Sequence, residues 1–170
     1  MKLTAGSLAP DFELESTDGT VSLSGLRGSR VVLYFYPKDD TPGCTREACS
    51  FRDSMSRLQG HGATILGVSK DSIDSHQRFR EKYGLPFALA SDPENAVAKS
   101  YGAFGKKMMY GKEVMGTIRS TFLIDPQGRI ERVWSPVKVD GHVDQILAAL
   151  DEAGASASSH ARKQSRPPAD

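Results

Sequence analysis

A buried strand pattern that runs straight into a helix pattern constrains the fold of this chain most. Residues 31–36 are β-branched, aliphatic or aromatic without interruption, which is typical of a strand covered on both faces of a sheet. Residues 44–58 then place apolar side chains at helical spacing. Because a buried strand followed by an amphipathic helix is the building unit of open α/β sheets, this junction predicts a protein of the α/β class.

The rest of the chain continues the alternation of strand and helix patterns. Residues 11–15 alternate apolar and acidic side chains, and Asp18-Gly19 turns the chain back toward Val21 in a predicted hairpin. The further predicted strands are residues 63–69, 87–90, 121–124 and 130–134. The further predicted helices begin at Asp71 or Ser72, at Asp92-Pro93-Glu94 and near Val143, and residues 103–116 form a long connection.

This order of elements predicts a thioredoxin-like fold, with a central mixed β-sheet flanked by helices and an N-terminal β-hairpin. We expect one domain over residues 1–153, since 170 residues support one sizeable core. Residues 154–170 turn to Ala, Ser, Arg and Pro without an apolar period. This tail is therefore expected to be disordered.

The charge balance argues against several classes of partner. With 22 basic against 21 acidic residues, no field favours nucleic acid or an anionic membrane. No segment has the apolar length that crosses a bilayer, and residues 1–6 lack the apolar run of a secretory signal. Two cysteines in a chain of this size are not expected to be a stability framework, because reducing compartments keep such thiols open. We therefore expect a cytoplasmic protein.

Both cysteines lie in the junction between strand and helix, and one of them is placed to react. Cys44 follows Thr41-Pro42-Gly43, where the strand has ended and the helix begins. Unpaired backbone N–H groups and the positive end of the helix dipole favour a thiolate there, and the thiolate is the nucleophilic form. The position therefore predicts a reactive cysteine.

Helix geometry separates the two thiols. If the helix begins at about residue 43, Cys44 falls in the middle of the apolar stripe and is expected to be half-buried, whereas Cys49 lies on the polar side. Five helical residues separate their Cα atoms by roughly 8 Å, beyond the span of a disulfide. A bond between Cys44 and Cys49 therefore requires the first turn and a half of the helix to unwind.

Two plainer interpretations compete with a reactive cysteine. In the first, both cysteines are small core residues with incidental thiols. The second is a zinc site, which usually needs four ligands. The available histidines are scattered and are expected on the surface or on helix faces: His61, His76, His142 and His160. The Thr-Pro-Gly context at a strand-to-helix junction favours the reactive cysteine over both.

The residues around Cys44 resemble the peroxiredoxins, and more narrowly their bacterioferritin comigratory protein (BCP/PrxQ) subfamily. The resemblance is carried by the strand Val-Val-Leu-Tyr-Phe-Tyr-Pro, by Thr-Pro-Gly-Cys-Thr and by the second cysteine at Cys49. It covers nearly the whole chain, from Leu3 to about Asp151, and includes residues 8–12, 89–92 and 119–125.

The resemblance implies a role for each matching residue. Cys44 is the peroxidatic cysteine, Cys49 the resolving cysteine, and Thr41 and Arg119 complete the catalytic site. Pro37 and Gly43 shape the pocket. Glu47 either orients an arginine or is a solvated acid of the first turn, and it is not an obvious proton acceptor.

The implied reaction is a thiol-dependent reduction of hydrogen peroxide and organic hydroperoxides. Arg119, the Cys44 N–H and the Thr41 hydroxyl are the candidate donors to the peroxide oxygens. The sulfenic acid formed on Cys44 condenses with Cys49, and thioredoxin or a glutaredoxin-like protein reduces the disulfide. The resemblance implies a monomer and no flavin, haem or metal.

Two alternatives stay open at this point. One is a thiol–disulfide oxidoreductase on the same fold, although the chain lacks the Cys-x-x-Cys spacing and carries Arg-Ser before Thr121 where thioredoxins have a proline. The other is a redox-sensing binding module, in which Cys44 is oxidised without turnover.

Overall fold

The computed structural model describes residues 3–164. Within this range the strands are β1 (Glu13–Ser16), β2 (Gly19–Ser22), β3 (Arg30–Phe35), β4 (Ala63–Ser69), β5 (Ala88–Ser91), β6 (Phe104–Met109), β7 (Lys112–Thr117), β8 (Ser120–Ile124) and β9 (Ile130–Trp134). The helices are α1 (Pro42–Asp53), α2 (Met55–Gly60), α3 (Ile73–Tyr83), α4 (Ala96–Ser100) and α5 (His142–Gln164). A short 3₁₀ turn, Ser24–Leu26, precedes β3.

Seven of these strands form one mixed sheet in the order β2-β1-β5-β4-β3-β8-β9. Strands β3, β4 and β5 run parallel to one another, whereas β8 and β9 continue the sheet in antiparallel pairing. The N-terminal hairpin β1–β2 joins the other edge antiparallel to β5. Strands β6 and β7 form a separate hairpin.

The central place of β3 explains why its sequence has no polar face. Side chains alternate between the two faces of a strand. Val32 and Tyr34 enter the core that α1, α2, α3 and α5 cover. Val31, Leu33 and Phe35 enter a second core on the other face, closed by the N-terminal segment and the region of α4. Both faces of β3 are therefore buried, as the uninterrupted apolar run predicts.

The predicted fold class is confirmed, and most of the predicted elements lie where the patterns placed them. Strands β4 and β9 have the predicted bounds. The Ser72 hydroxyl accepts the Ser75 N–H at 3.2 Å and caps α3, which ends at Gly84 in the left-handed region with φ of 61°. Turn and cap residues thus marked several boundaries correctly.

The prediction that a helix begins at Asp92 was wrong by about one turn, because α4 begins at Ala96 after Asn95. The Asp92 carboxylate still serves the helix start. It accepts the N–H groups of Val97 at 3.3 Å and Ala98 at 3.0 Å across the intervening turn.

The connection predicted over residues 103–116 was also wrong, since β6 and β7 form a hairpin there. The register pairs Met109 with Lys112, which leaves a two-residue loop. Both loop residues, Tyr110 and Gly111, have positive φ, the conformation of a type I′ turn. Tyrosine rarely adopts positive φ, so the Tyr-Gly pair gives a weak turn signal.

The predicted cysteine helix is interrupted at Ser54, where α1 ends and α2 begins. At the other end of the chain, α5 continues to residue 164, past the predicted start of the tail at 154. Residues 165–170 lie outside the described residues, and disorder of the tail stays a prediction. Across residues 3–164, the structure contains no helix that combines the length and the apolar character needed to cross a membrane.

Candidate active site

The loop after β3 leads into α1, which contains both cysteines. Thr41 is the N-cap residue with extended backbone angles, and Pro42 occupies the first helical position, where its missing N–H leaves no bond unmade. Cys44 is therefore the third residue of α1, in the first turn, whose N–H groups have no partner within the helix. The predicted position of Cys44 at a helix N-terminus is confirmed.

Cys44 is more deeply placed than the half-buried position that the apolar stripe predicted. Its exposed fraction is 2%, and it belongs to the core cluster on the α1 face of the sheet. A thiolate in such a place needs hydrogen-bond donors, because burial without compensation disfavours the charged form.

Strand pairing brings Arg119 to Cys44. The register of β3 and β8 pairs Phe35 with Ser120, so the residue before Ser120 lies at the carboxyl end of β3, where the loop between β3 and α1 begins. The Arg119 Nη2 group donates to Cys44 Sγ at 3.4 Å. The Val137 N–H donates to the Arg119 carbonyl at 2.9 Å and fixes the backbone. Residues 75 positions apart therefore meet by sheet topology.

Arg119 also holds Glu47, one helical turn beyond Cys44. The Arg119 Nη1 group donates to Glu47 Oε1 at 2.7 Å. The alternative of a solvated first-turn acid is excluded, because Glu47 is 1% exposed. Burial raises the pKa of Glu47 to about 7, although Arg119 opposes the shift.

Gly43 leaves the room that Arg119 needs. A Cβ atom added at Gly43 would lie 3.2 Å from Arg119 Nη2, closer than nearly all real contacts of this kind. The backbone of α1 therefore approaches the guanidinium closely, and a side chain at position 43 would push the guanidinium away by a few tenths of an ångström.

The structure alters the expected role of Thr41. Its hydroxyl donates to the Lys38 carbonyl at 2.9 Å, so its single hydrogen is already used. Thr41 Oγ1 is left as an acceptor and not as the donor that the sequence suggested. Pro37 is half-buried and lines a cavity of about 460 Å³ together with Lys38, Lys70 and Lys107.

Cys49 lies in the second turn of α1, half-buried and unbonded. Because both cysteines belong to one continuous helix, their Cα atoms are separated by roughly 8 Å, as predicted. Cys44 is likewise a free thiol.

Sequence reasoning missed the side chains of α3 that bind the loop between β3 and α1. Asp39 accepts hydrogen bonds from the Ser75 hydroxyl at 2.8 Å and lies 2.7 Å from His76 Nδ1. Asp40 has a left-handed backbone, with φ of 57°, and accepts hydrogen bonds from Lys82 and Tyr83, both at 2.8 Å. Helix α3 therefore binds the loop through hydrogen bonds to two adjacent aspartates. No spacing in the sequence pairs these residues.

The histidines were expected on the surface or on helix faces, and His76 on α3 and His142 on α5 lie on buried helix faces, with exposed fractions of 0% and 1%. His142 Nε2 lies 2.8 Å from Thr121 Oγ1, and burial lowers the pKa of this imidazole to about 4. His160 lies outside the residues whose side chains are described. Among the described residues, no group of three or more potential ligands could hold a metal ion.

A thioredoxin-like sheet that presents a buried thiol at a helix N-terminus to an arginine defines the class of thiol-dependent peroxidases. The chain matches the AhpC/TSA family over residues 5–133. It belongs to that family, and within it to the peroxiredoxins of the BCP/PrxQ subfamily.

Individual relatives support this assignment over most of their length. The chain is 48% identical over 153 residues to peroxiredoxin Bcp of Bacillus subtilis, covering 89% of this chain and 98% of the relative. A solved structure of a PrxQ mutant from Xylella fastidiosa superposes with a TM-score of 0.84 at 36% identity, covering 91% and 99%. The bacterioferritin comigratory protein of Xanthomonas campestris, studied for its alkyl peroxide reduction activity, gives 0.79 at 43% identity, covering 84% and 91%.

Proposed function

We propose that the protein reduces hydrogen peroxide and organic hydroperoxides with Cys44 as the attacking thiolate and Cys49 as the resolving thiol. The observation that carries this proposal is the 3.4 Å contact between Arg119 Nη2 and Cys44 Sγ at the N-terminus of α1. A guanidinium and unpaired backbone N–H groups around one sulfur favour the thiolate.

In the first step, the Cys44 sulfur attacks the terminal oxygen of the peroxide. The S–O bond forms as the O–O bond breaks, so that sulfur is oxidised to sulfenic acid and the peroxide is reduced to an alcohol or water. Arg119 and the Cys44 N–H stabilise the negative charge that develops on the oxygens. Thr41 Oγ1 accepts the hydrogen of the attacked O–OH group, since its own hydrogen is donated to Lys38.

In the second step, Cys49 attacks the sulfenic acid, and the disulfide forms with loss of water. This step requires the first turn and a half of α1 to unwind. Besides the core packing of Cys44 and Ala48, the contacts that must break are the pair between Arg119 and Glu47 at 2.7 Å and the exposed pair between Arg46 and Asp140 at 2.6 Å. An exposed pair contributes about 0–1 kcal/mol, so the buried contacts set most of the barrier.

In the third step, thioredoxin or a glutaredoxin-like dithiol protein reduces the disulfide by thiol–disulfide exchange. The cycle consumes one dithiol for each peroxide and needs two thiols kept reduced between turnovers. This requirement supports a cytoplasmic enzyme. Because one chain supplies both cysteines, the cycle is complete in a monomer.

Replacing each cysteine separately tests the assignment. We expect Cys44→Ser to abolish peroxide consumption, and Cys49→Ser to retain one stoichiometric oxidation but lose turnover with thioredoxin. Normal turnover of Cys49→Ser would show that another group resolves the sulfenic acid. Efficient reduction of insulin disulfides without peroxide consumption by the unmodified protein would instead favour a thiol–disulfide oxidoreductase.

A further inference from the structure

Two potential anions share one cation in the interior of the site. Cys44 and Glu47 are 2% and 1% exposed, and Arg119 contacts both. A thiolate and a carboxylate together would leave one negative charge in excess in a region with little water. Buried charge without a partner is strongly unfavourable, so the arrangement favours one proton held between the two acids.

The hydrogen bonds of Glu47 indicate where that proton resides. Glu47 Oε1 accepts the Arg119 hydrogen bond, whereas Oε2 is buried and has no hydrogen-bond partner among the described residues. A fully ionised carboxylate would leave this oxygen charged and unpaired, which is costly. Burial raises the pKa of the carboxyl to about 7, in agreement with this geometry.

The groups around Glu47 leave Arg119 as its neutralising partner. Burial and the charge of Glu47 raise the pKa of Tyr34 on β3, whose hydroxyl is also buried without a partner among the described residues. Burial lowers the pKa of Lys107 on β6 and of His142 on α5, and the charge of Arg119 lowers both further. Among the described residues, Arg119 is the only cationic side chain within 4 Å of the Glu47 carboxyl.

Building on the proposed peroxidase function, we propose that Glu47 takes the proton of the Cys44 thiol and delivers it to the leaving oxygen of the peroxide. The thiol and the carboxylate become a thiolate and a carboxylic acid. The thiolate attacks the terminal peroxide oxygen, the O–O bond breaks, and the departing alkoxide or hydroxide receives the proton that Glu47 holds. The ionised carboxylate is protonated again when Cys44 returns to the thiol.

This role differs from orientation of Arg119 in how it depends on the leaving group. An alkoxide is strongly basic and benefits from a proton donor in the transition state. Acetate, the leaving group of peracetic acid, is a weak base and departs without one. A residue that only orients Arg119 affects both reactions equally, because the guanidinium stabilises charge in both.

The test is the second-order rate constant for Cys44 oxidation in single-turnover experiments with Glu47→Gln, which keeps an acceptor for Arg119 but cannot hold the proton. We expect about a 100-fold loss with tert-butyl hydroperoxide, which is the size that general-acid catalysis typically contributes. With peracetic acid we expect a loss of less than about threefold, because acetate leaves without a proton donor. Glu81→Gln, which changes an exposed glutamate on α3, is the matched control. Equal losses with the two peroxides would overturn the proposal.

Infrared spectroscopy provides a second test on the unmodified protein. We expect the reduced protein at neutral pH to show the carbonyl stretch of a protonated carboxylic acid that oxidation by tert-butyl hydroperoxide removes. Absence of this band overturns the proposal. Failure of the peroxidase function is recognised separately, since unmodified protein would then consume neither peroxide, whereas failure of the Glu47 role leaves both reactions intact.

Discussion

The guanidinium of Arg119 contacts two acidic groups through two separate nitrogens. One of its nitrogens donates to Cys44 and the other to Glu47, at 3.4 and 2.7 Å. The planar, forked geometry of arginine fixes the directions of these two bonds, whereas the three donors of a lysine ammonium share one nitrogen on a flexible stem. The position of the thiol, its donor and its neighbouring acid is therefore fixed by a single side chain.

Replacing Gly43 tests how strongly the reaction depends on the position of the Arg119 guanidinium. The added methyl of Gly43→Ala would lie 3.2 Å from Arg119 Nη2 and displace the guanidinium from Cys44 by a few tenths of an ångström. Because small displacements of catalytic groups reduce rates strongly, we expect about a tenfold slower Cys44 oxidation. Alanine is also the better helix former, so the free energy of unfolding should stay equal or rise by up to about 1 kcal/mol.

Stopped-flow oxidation and urea unfolding measure the two effects separately. Gly60→Ala is the matched control, because a Cβ at that helical glycine meets nothing within 4 Å. An unchanged oxidation rate in Gly43→Ala would show that the close approach of Arg119 does not limit the reaction.

At the scale of elements, α1 consists of two parts with different attachments. The first part, residues 42–49, carries both cysteines and is held by Arg119 and by an exposed ion pair. The last part is anchored by Phe51, which is 0% exposed and stacks on Tyr34 with ring centroids 4.7 Å apart. The Arg52 Nη1 group adds a hydrogen bond to the Tyr83 carbonyl at 2.7 Å.

The hydrogen-bond pattern of α1 and α2 predicts where unwinding stops in the oxidised protein. Because the disulfide needs the helix open between Cys44 and Cys49, we expect amides 45–53 to lose hydrogen-exchange protection, since the amides of residues 50–53 bond to the carbonyls of residues 46–49. The amide of Leu58, which donates to the Ser54 carbonyl at 3.0 Å, should keep its protection because α2 stays packed. Hydrogen exchange read by mass spectrometry resolves α1 from α2. Protection retained throughout α1, or lost through α2 as well, would contradict this account.

The sequence predicted the ends of helices and strands best where the end carries a characteristic capping or turn residue. Ser72 and Gly84 marked both ends of α3 because a cap hydroxyl and a left-handed glycine act locally. The β6–β7 hairpin was missed because its turn uses Tyr110, a residue that seldom adopts positive φ. Asp92 was recognised as a capping residue, but its reach across a turn to Ala98 depends on the fold.

At the scale of the whole molecule, sheet topology assembles the site from distant segments. The antiparallel pairing of β8 with β3 places Arg119 at the end of β3, and α3 binds the loop between β3 and α1 through Asp39 and Asp40. The resemblance to the peroxiredoxins named Arg119, since family patterns record such contacts. The hydrogen bonds from α3 to Asp39 and Asp40 and the burial of Glu47 follow from tertiary packing, and neither has a local signal in the sequence.

His142 links the stability of the whole domain to pH. Burial lowers the pKa of the folded imidazole to about 4, below its ordinary value of 6.5. As pH falls below 6.5, the unfolded chain binds a proton before the folded protein does, so stability decreases down to about pH 4. We expect His142 to account for about 2–3 kcal/mol of this acid destabilisation.

Urea unfolding at several pH values between 7.5 and 4.5 measures this contribution. Relative to the unmodified protein, His142→Gln should show a flatter decline in the free energy of unfolding, while losing some stability at neutral pH along with its contact to Thr121. Parallel declines in the two proteins would assign the acid sensitivity to other groups.

The central claim is that Cys44 is oxidised first and then reaches Cys49 within the same chain as α1 unwinds. Mass spectrometry of the reduced protein, treated with one equivalent of hydrogen peroxide, alkylated and digested, tests it most directly. We predict an intramolecular disulfide between the peptides containing Cys44 and Cys49, and a sulfenic acid on Cys44 in Cys49→Ser. Oxygen found on Cys49, or a disulfide that joins two chains, would contradict the account.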